Sequence, residues 1–281
     1  MNRTWVQRFG FVLLALAALV VVVPILVVIG IIFVRGVEAI NWDFLTAMPR
    51  DGMKAGGIFP AIVGTLLLTV CTALVAIPVG VGGAIYLSEY ARDTWVTRTI
   101  RLAIVNLAGI PSVVYGLFGL GMFVLFLQFG TSIVAGALTL AIMTLPIIIS
   151  TSEEALLTVP TEFRTVSFSL GGTRWQGIRR VVLPQALPGI ITGVILGLLR
   201  AAGETAPILF TVAAFYLPSL PQSIFDQTMA LPYHLYVIST QVPGMPEKMQ
   251  YGTALVLLLL VLSLSLVATI IRSIFRRRRQ W

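Results

Sequence analysis

LPGIITGVILGLLRAAGETAPILFTVAAF, residues 187–215, is long and apolar enough to cross a bilayer, yet it carries Arg200 and Glu204 near its middle. About 20 apolar residues suffice for a helical span. A charge at the bilayer centre costs at least about 2.5–3.5 kcal/mol, so an ionisable residue there marks a functional position by default. The i,i+4 spacing of Arg200 and Glu204 puts both side chains on one face of a continuous helix. Two readings follow: a structural ion pair that pins one helix to another, or a polar station on a pathway for a charged solute. The same stretch sets Gly189, Gly193, Gly197 and Ala201 at four-residue spacing. A neighbouring helix can approach closely along such a stripe. Arg200 flanks it and so faces protein or water rather than lipid. Pro188 suits the first turn of this helix.

Working outward, the chain of 281 residues is 58% apolar and only 11% charged, which removes it from the soluble globular class. Six segments are long enough to span: Phe11–Val34, Pro60–Leu87, Ile104–Phe129, Thr131–Ser150, Leu187–Phe215 and Gly252–Ile271. The expectation is an all-α polytopic membrane protein with six transmembrane helices. Phe11–Val34 exceeds a signal-peptide core and is followed by Arg35 rather than a small-residue cleavage site, so it reads as a retained first helix. Cys71 is the single cysteine and reads as packing, which excludes a disulfide framework. His234 is the single histidine, and no metal site is expected.

The net charge of +8 invites a nucleic-acid reading, but its distribution argues for a membrane. With the N-terminus inside, the inner segments carry fourteen basic residues, including Arg98, Arg101, Arg164, Arg174 and the run Arg276 to Arg279. The outer segments carry four: Arg35, Arg50, Lys54 and Lys248. That asymmetry puts both termini in the cytoplasm, with the terminal run facing anionic lipid. Gln128-Phe129-Gly130 marks a tight turn that makes the third and fourth spans a hairpin. The outer connection Tyr216–Tyr251 is rich in proline and aromatics and reads as a receiving surface or as a cap over the bundle.

The inner connection Thr151–Ala186 has helical content of its own. Phe163, Val166 and Leu170 recur at helical spacing, and Gly171-Gly172 ends the run. Thr173 and Gln176 then have the spacing of a capping box, and Trp175, Ile178 and Val182 form an apolar face. Two short helices around a glycine break suit either an amphipathic hairpin on the membrane surface or a knob that enters a partner's groove. Here the chain resembles the cytoplasmic "EAA" loop of ABC-importer permeases, whose pattern is Glu-Ala-Ala, three residues, Gly, nine residues, Ile-x-Leu-Pro. Gly171 stands nine residues before Val181-Val182-Leu183-Pro184. Thr165-Val166-Ser167 stands where Glu-Ala-Ala is expected, and Glu162 lies one turn earlier. The resemblance implies that Glu162, Thr165, Leu170, Gly171, Gly172 and Trp175 dock a separate ATPase.

A narrower resemblance runs through the chain. Gly56-Gly57-Ile58-Phe59-Pro60-Ala61-Ile62-Val63-Gly64-Thr65, Ala108-Gly109-Ile110-Pro111-Ser112-Val113-Val114-Tyr115-Gly116, Arg200-Ala201-Ala202-Gly203-Glu204-Thr205-Ala206-Pro207 and Met229-Ala230-Leu231-Pro232-Tyr233-His234 together look like the PstA family, permease subunits of phosphate-specific ABC importers. This implies a type I ABC importer permease (MetI-like) fold in a bacterial inner membrane, with a first helix added to a five-helix core. The corresponding division is 1–57 for the first helix and external loop, 58–271 for the ABC transmembrane type-1 domain, and 272–281 for a basic cytoplasmic tail. The implied partners are a second permease (PstC), an ATPase dimer (PstB) that binds ATP and Mg, and an external phosphate-binding protein (PstS). Arg200 and Glu204 are the implied substrate-pathway residues, and no cofactor is expected in this chain. The chain has no P-loop, so an engine for uphill uptake has to be another chain. It also lacks His-Glu-x-x-His and Gly-x-Ser-x-Gly, which argues against a membrane-embedded enzyme. A permease of the same fold for another oxyanion, and a non-transporting scaffold, are the competing readings.

Overall fold

The computed structural model describes residues 3–169 and 171–277. Twelve α-helices organise them. The long ones are α1 (Arg3–Gly36), α3 (Phe59–Ile85), α6 (Ile133–Leu157), α9 (Leu183–Gly203) and α12 (Glu247–Arg277). Short helices fill the connections: α2 (Trp42–Thr46), α4 (Trp95–Ala108), α5 (Ser112–Gly119), α7 (Thr161–Ser169), α8 (Arg174–Gly177), α10 (Ala206–Thr211) and α11 (Leu231–Thr240). A two-stranded antiparallel ribbon, Pro49–Arg50 with Ala55–Gly56, is the only sheet among the described residues.

Five helical stretches are long and apolar enough to cross a membrane, and a sixth crossing arises if the bent pair α4 and α5 counts as one. The third expected span, Ile104–Phe129, is therefore corrected. The chain turns by 103° between α4 and the run Ser112–Phe126. Gly109 ends the first piece, and Pro111 caps the second. Proline disfavours helical backbone at the residue before it, here Ile110, so the apolar composition continues while the helix does not. Thr94 accepts a hydrogen bond from the Thr97 amide and starts α4 earlier than hydropathy alone suggests.

The fifth expected span is corrected too. Helix α9 starts at Leu183, so Pro188 lies inside it, and it stops at Gly203. Glu204 is extended, with φ −78° and ψ 138°. The stop has a cause in the sequence: Pro207 has no N–H to give the Gly203 carbonyl, and its ring crowds that carbonyl. Pro207 instead occupies the first turn of the separate α10.

Helix α6 is the centre of the bundle: 61% of its apolar window is buried, against none of α1's. It packs along α3 on one side and α9 on the other. The glycine stripe of α9 makes the second contact possible. A methyl group at Gly189 would overlap Ala155, one at Gly193 would overlap Thr151, and one at Gly197 would come within 2.9 Å of Ile148. The segment that follows α9 closes over the N-terminal end of α6. The amides of Ser132, Ile133 and Val134, which have no partner within the helix, donate to the carbonyls of Thr211, Asp226 and Ile224. Leu140, Met143, Val212, Met229, Leu231 and Val237 fill the core beneath.

Candidate functional site

Arg200 and Glu204 do meet, though not as neighbours on one helix. Arg200 lies in the last turn of α9, where the helix dipole favours a cation. Glu204 sits just past the end, and its extended backbone still brings Oε1 to 3.2 Å from Arg200 Nε. The arginine side chain is 34% exposed and the glutamate 18%, so the pair is sheltered but not sealed. Glu204 also lines a small cavity with Thr65 and Thr69 of α3, Ala230 and Pro232. Thr65 is fixed there, because its Oγ accepts a 2.8 Å hydrogen bond from the Leu231 amide. The close approach of α3 to that segment needs Gly64, where a side chain would collide with the Met229 carbonyl.

On the cytoplasmic side of this reading, α7 and α8 form a hairpin. Gly171 turns it with φ +78°, a conformation glycine adopts without strain. Thr173 and Gln176 form the reciprocal capping box, at 2.9 and 3.3 Å. A cleft of about 600 Å³ lies along the hairpin. Of the residues singled out in the sequence, it brings together Glu162, Gly171 and Gly172, with Phe163, Val166 and Arg180. Thr165 and Trp175 are exposed but lie outside the cleft lining, the Thr165 hydroxyl donating to the Thr161 carbonyl at 3.2 Å. Leu170 lies outside the described residues, as do Arg278 and Arg279 of the basic tail.

One constellation escaped the sequence reading. Glu89 closes the π-helical turn Tyr86–Tyr90 that follows α3, and its side chain is only 7% exposed. Arg164 of α7 reaches it bidentately, Nη2 to Oε1 at 2.7 Å and Nε to Oε2 at 3.2 Å. Arg164 also donates through Nη1 to the carbonyl of Val159, at 2.6 Å, and through Nη2 to that of Leu156, at 3.0 Å. Arg174 of α8 donates to the Glu89 carbonyl and lies 5.0 Å from the centre of the Tyr90 ring. Arg101 of α4 donates to the Leu87 carbonyl at 2.9 Å and to Glu153 of α6 at 2.8 Å. Breaking one side of a buried pair such as Glu89–Arg164 costs about 3–5 kcal/mol in general. The only sequence signal was a lone carboxylate at the C-terminal end of a span; its partner stands 75 residues away.

Outside the candidate spanning helices, His234 of α11 is buried, with no hydrogen-bond partner at Nδ1. Burial pushes its pKa down to about 4, which keeps it neutral at physiological pH.

An apolar helical bundle with five helices long enough to cross a membrane, and a sixth crossing if the bent pair counts as one, defines a polytopic membrane protein. A family model described as "Binding-protein-dependent transport system inner membrane component" matches residues 76–281, and the chain belongs to that family. It is 33% identical to the "Probable ABC transporter permease protein YqgI" of Bacillus subtilis, over 95% of each chain. It is 36% identical to the "Phosphate transport system permease protein PstA" of Mycobacterium leprae, over 92% of this chain and 86% of that one. Among solved structures, a chain of a bacterial ABC transporter involved in import of the acidic polysaccharide alginate superposes with TM-score 0.68. It is 13% identical and covers 99% of this chain and 98% of its own. The type I importer permease fold expected from the sequence is thus the fold observed.

Proposed function

We propose that this chain is the transmembrane permease subunit of an ATP-driven phosphate importer, forming half of the pathway and coupling to a separate ATPase through residues 152–186. The observation that carries the reading is the Arg200–Glu204 pair at the break between α9 and α10, in a chain whose relatives include phosphate transport permeases. Phosphate enters a cell whose interior is negative, at about 2.3 kcal/mol per charge per 100 mV. Uptake therefore needs an energy source, which we assign to a partner ATPase dimer holding ATP and Mg.

The chemistry of the pair suits a releasable anion. The planar guanidinium of Arg200 offers paired donors to a phosphate oxyanion and stays charged when partly desolvated. Glu204 occupies it when no anion is present, which lowers the cost of a sheltered cation. Because phosphate has to displace Glu204 from Arg200, the anion is held weakly enough to leave, as conduction requires. Tight capture falls to an external binding protein received on Tyr216–Tyr251, and the other half of the pathway to a second permease. Both termini are assigned to the cytoplasm on the basic-residue asymmetry. The exposed hairpin, with Glu162, Thr165, Leu170, Gly171, Gly172 and Trp175, is assigned to ATPase docking.

The test is ATP-dependent uptake of labelled phosphate by the co-purified complex in proteoliposomes, with sulfate and molybdate as competitors. Uptake that phosphate alone competes is the expected result. Uptake of labelled phosphate that sulfate or molybdate suppresses at lower concentration than unlabelled phosphate does moves the assignment to another oxyanion, and no ATP-dependent phosphate uptake refutes it.

A further inference from the structure

Three arginines from three different elements converge on Tyr86–Tyr90, the five residues that follow α3. Arg101 of α4 and Arg174 of α8 donate to the carbonyls of Leu87 and Glu89. A helix terminus leaves its last carbonyls without partners and presents a partial negative charge, so cations are the natural groups to satisfy them. Arg164 of α7 takes the Glu89 carboxylate itself, through two of its nitrogens. The two hairpin helices thus hold Glu89 by its side chain and by its backbone at once. At its other end, α3 places Thr65 and Thr69 in the cavity that Glu204 lines. Between those ends α3 packs against α6.

We propose that Glu89 is a positioning residue that clamps the cytoplasmic hairpin rigidly to α3, so that a displacement of the hairpin by the ATPase is delivered to the Thr65–Glu204 cavity as movement of α3. The docking hairpin has two covalent exits, through α6 and α9, which reach α3 only by packing against it. The Glu89 clamp supplies that third connection with charge-assisted hydrogen bonds, the shorter and stronger class. The 5.0 Å contact of Arg174 with the Tyr90 ring limits rotation about the clamp. This inference rests on the reading of the chain as an ATP-driven permease, and not on the identity of the solute.

The test uses the assembled complex in proteoliposomes. Glu89→Gln keeps the shape and removes the charge that Arg164 grips. The expected result is a complex that forms and hydrolyses ATP but moves about tenfold less phosphate per ATP, within the range of typical site-to-site coupling. Loss of folded complexes would lower both rates together and leave their ratio unchanged. An assembled Glu89→Gln complex with the wild-type ratio overturns the proposal. A second measurement needs no substitution in the clamp: spin labels at Tyr86→Cys and Ser169→Cys, in a Cys71→Ala background. A rigid clamp keeps their distance distribution the same without nucleotide and with ATP bound, whereas a shift on ATP binding overturns it. If the unsubstituted complex hydrolyses ATP but moves no phosphate, the substrate assignment fails and the spin-label result still decides the clamp.

Discussion

Replacing Arg200 by glutamine keeps hydrogen-bonding capacity and similar length but removes the charge. Uptake should fall by about tenfold or more, the equivalent of one charge-assisted hydrogen bond at about 1.5–3 kcal/mol, with membrane insertion and complex assembly retained. The double variant Arg200→Gln with Glu204→Gln separates the two readings of the pair. A structural bridge would recover much of its function once no unpaired charge remains, whereas an anion contact would stay inactive. Transport assays on both variants decide it, and wild-type rates in the double variant would sink the pathway role. His234 makes a second prediction. Its folded-state pKa of about 4 lies below the ordinary 6.5, so the unfolded chain binds a proton that the folded chain refuses. Stability is therefore flat above about pH 6.5 and falls on acidification toward pH 4, by on the order of 1 kcal/mol per pH unit inside that window. Thermal unfolding in detergent between pH 7 and 5 reads this, and His234→Leu should flatten the dependence.

Among the elements, the contrast between α9 and α1 is the sharpest. Gly193→Leu would drive a side chain into Thr151; overpacking of this kind costs about 1–3 kcal/mol or more. Gly30→Leu in α1 has nothing within 4 Å to meet and should leave stability unchanged or raise it slightly, since glycine is a poor helix former. Melting temperatures of the two variants test the pair, and equal effects would contradict the packing described. The stripe was legible because its four-residue spacing is a local fact, and so was the capping box at Thr173 and Gln176. The bend at Pro111 was not, because hydropathy continues across it. The stop at Gly203 left a trace that was passed over: Pro207 stands four residues later. The Glu89–Arg164 clamp left almost none, since its register depends on how α3 and α7 pack rather than on any nearby spacing.

At the scale of the molecule, the helical membrane class followed from composition and the permease fold from the resemblance; the crossings number five, or six if α4 and α5 count as one, and the path of the chain through two of the expected ones needed tertiary information. Orientation is a separate matter, and the prediction there is direct. Single cysteines at Thr46 and Ser223, both exposed, should react with an impermeant reagent from outside. Cysteines at Asp93 and Ser169, also exposed, should react only after the membrane is opened. Outside labelling at Ser169 would reverse the topology and move the hairpin away from any cytoplasmic ATPase.

The glycine contacts between α9 and α6 bear on how many independent parts this subunit contains. At Gly189, Gly193 and Gly197 the backbone of α9 rests directly on the side chains of Ala155, Thr151 and Ile148 of α6, with no α9 side chain between them. A small slip in either direction presses the α9 backbone against Ala155, which has no rotamer to change, and against the fully buried Ile148. The two helices therefore count as one mechanical piece, and whatever drives the cytoplasmic end of one carries the other along. A pathway that alternately faces two sides has to open at the margin of that piece rather than along its seam. A covalent cross-link across the seam, Ala155→Cys joined to a cysteine placed within 186–190, should accordingly leave transport running, and a link that stops it would show that the piece comes apart at every cycle.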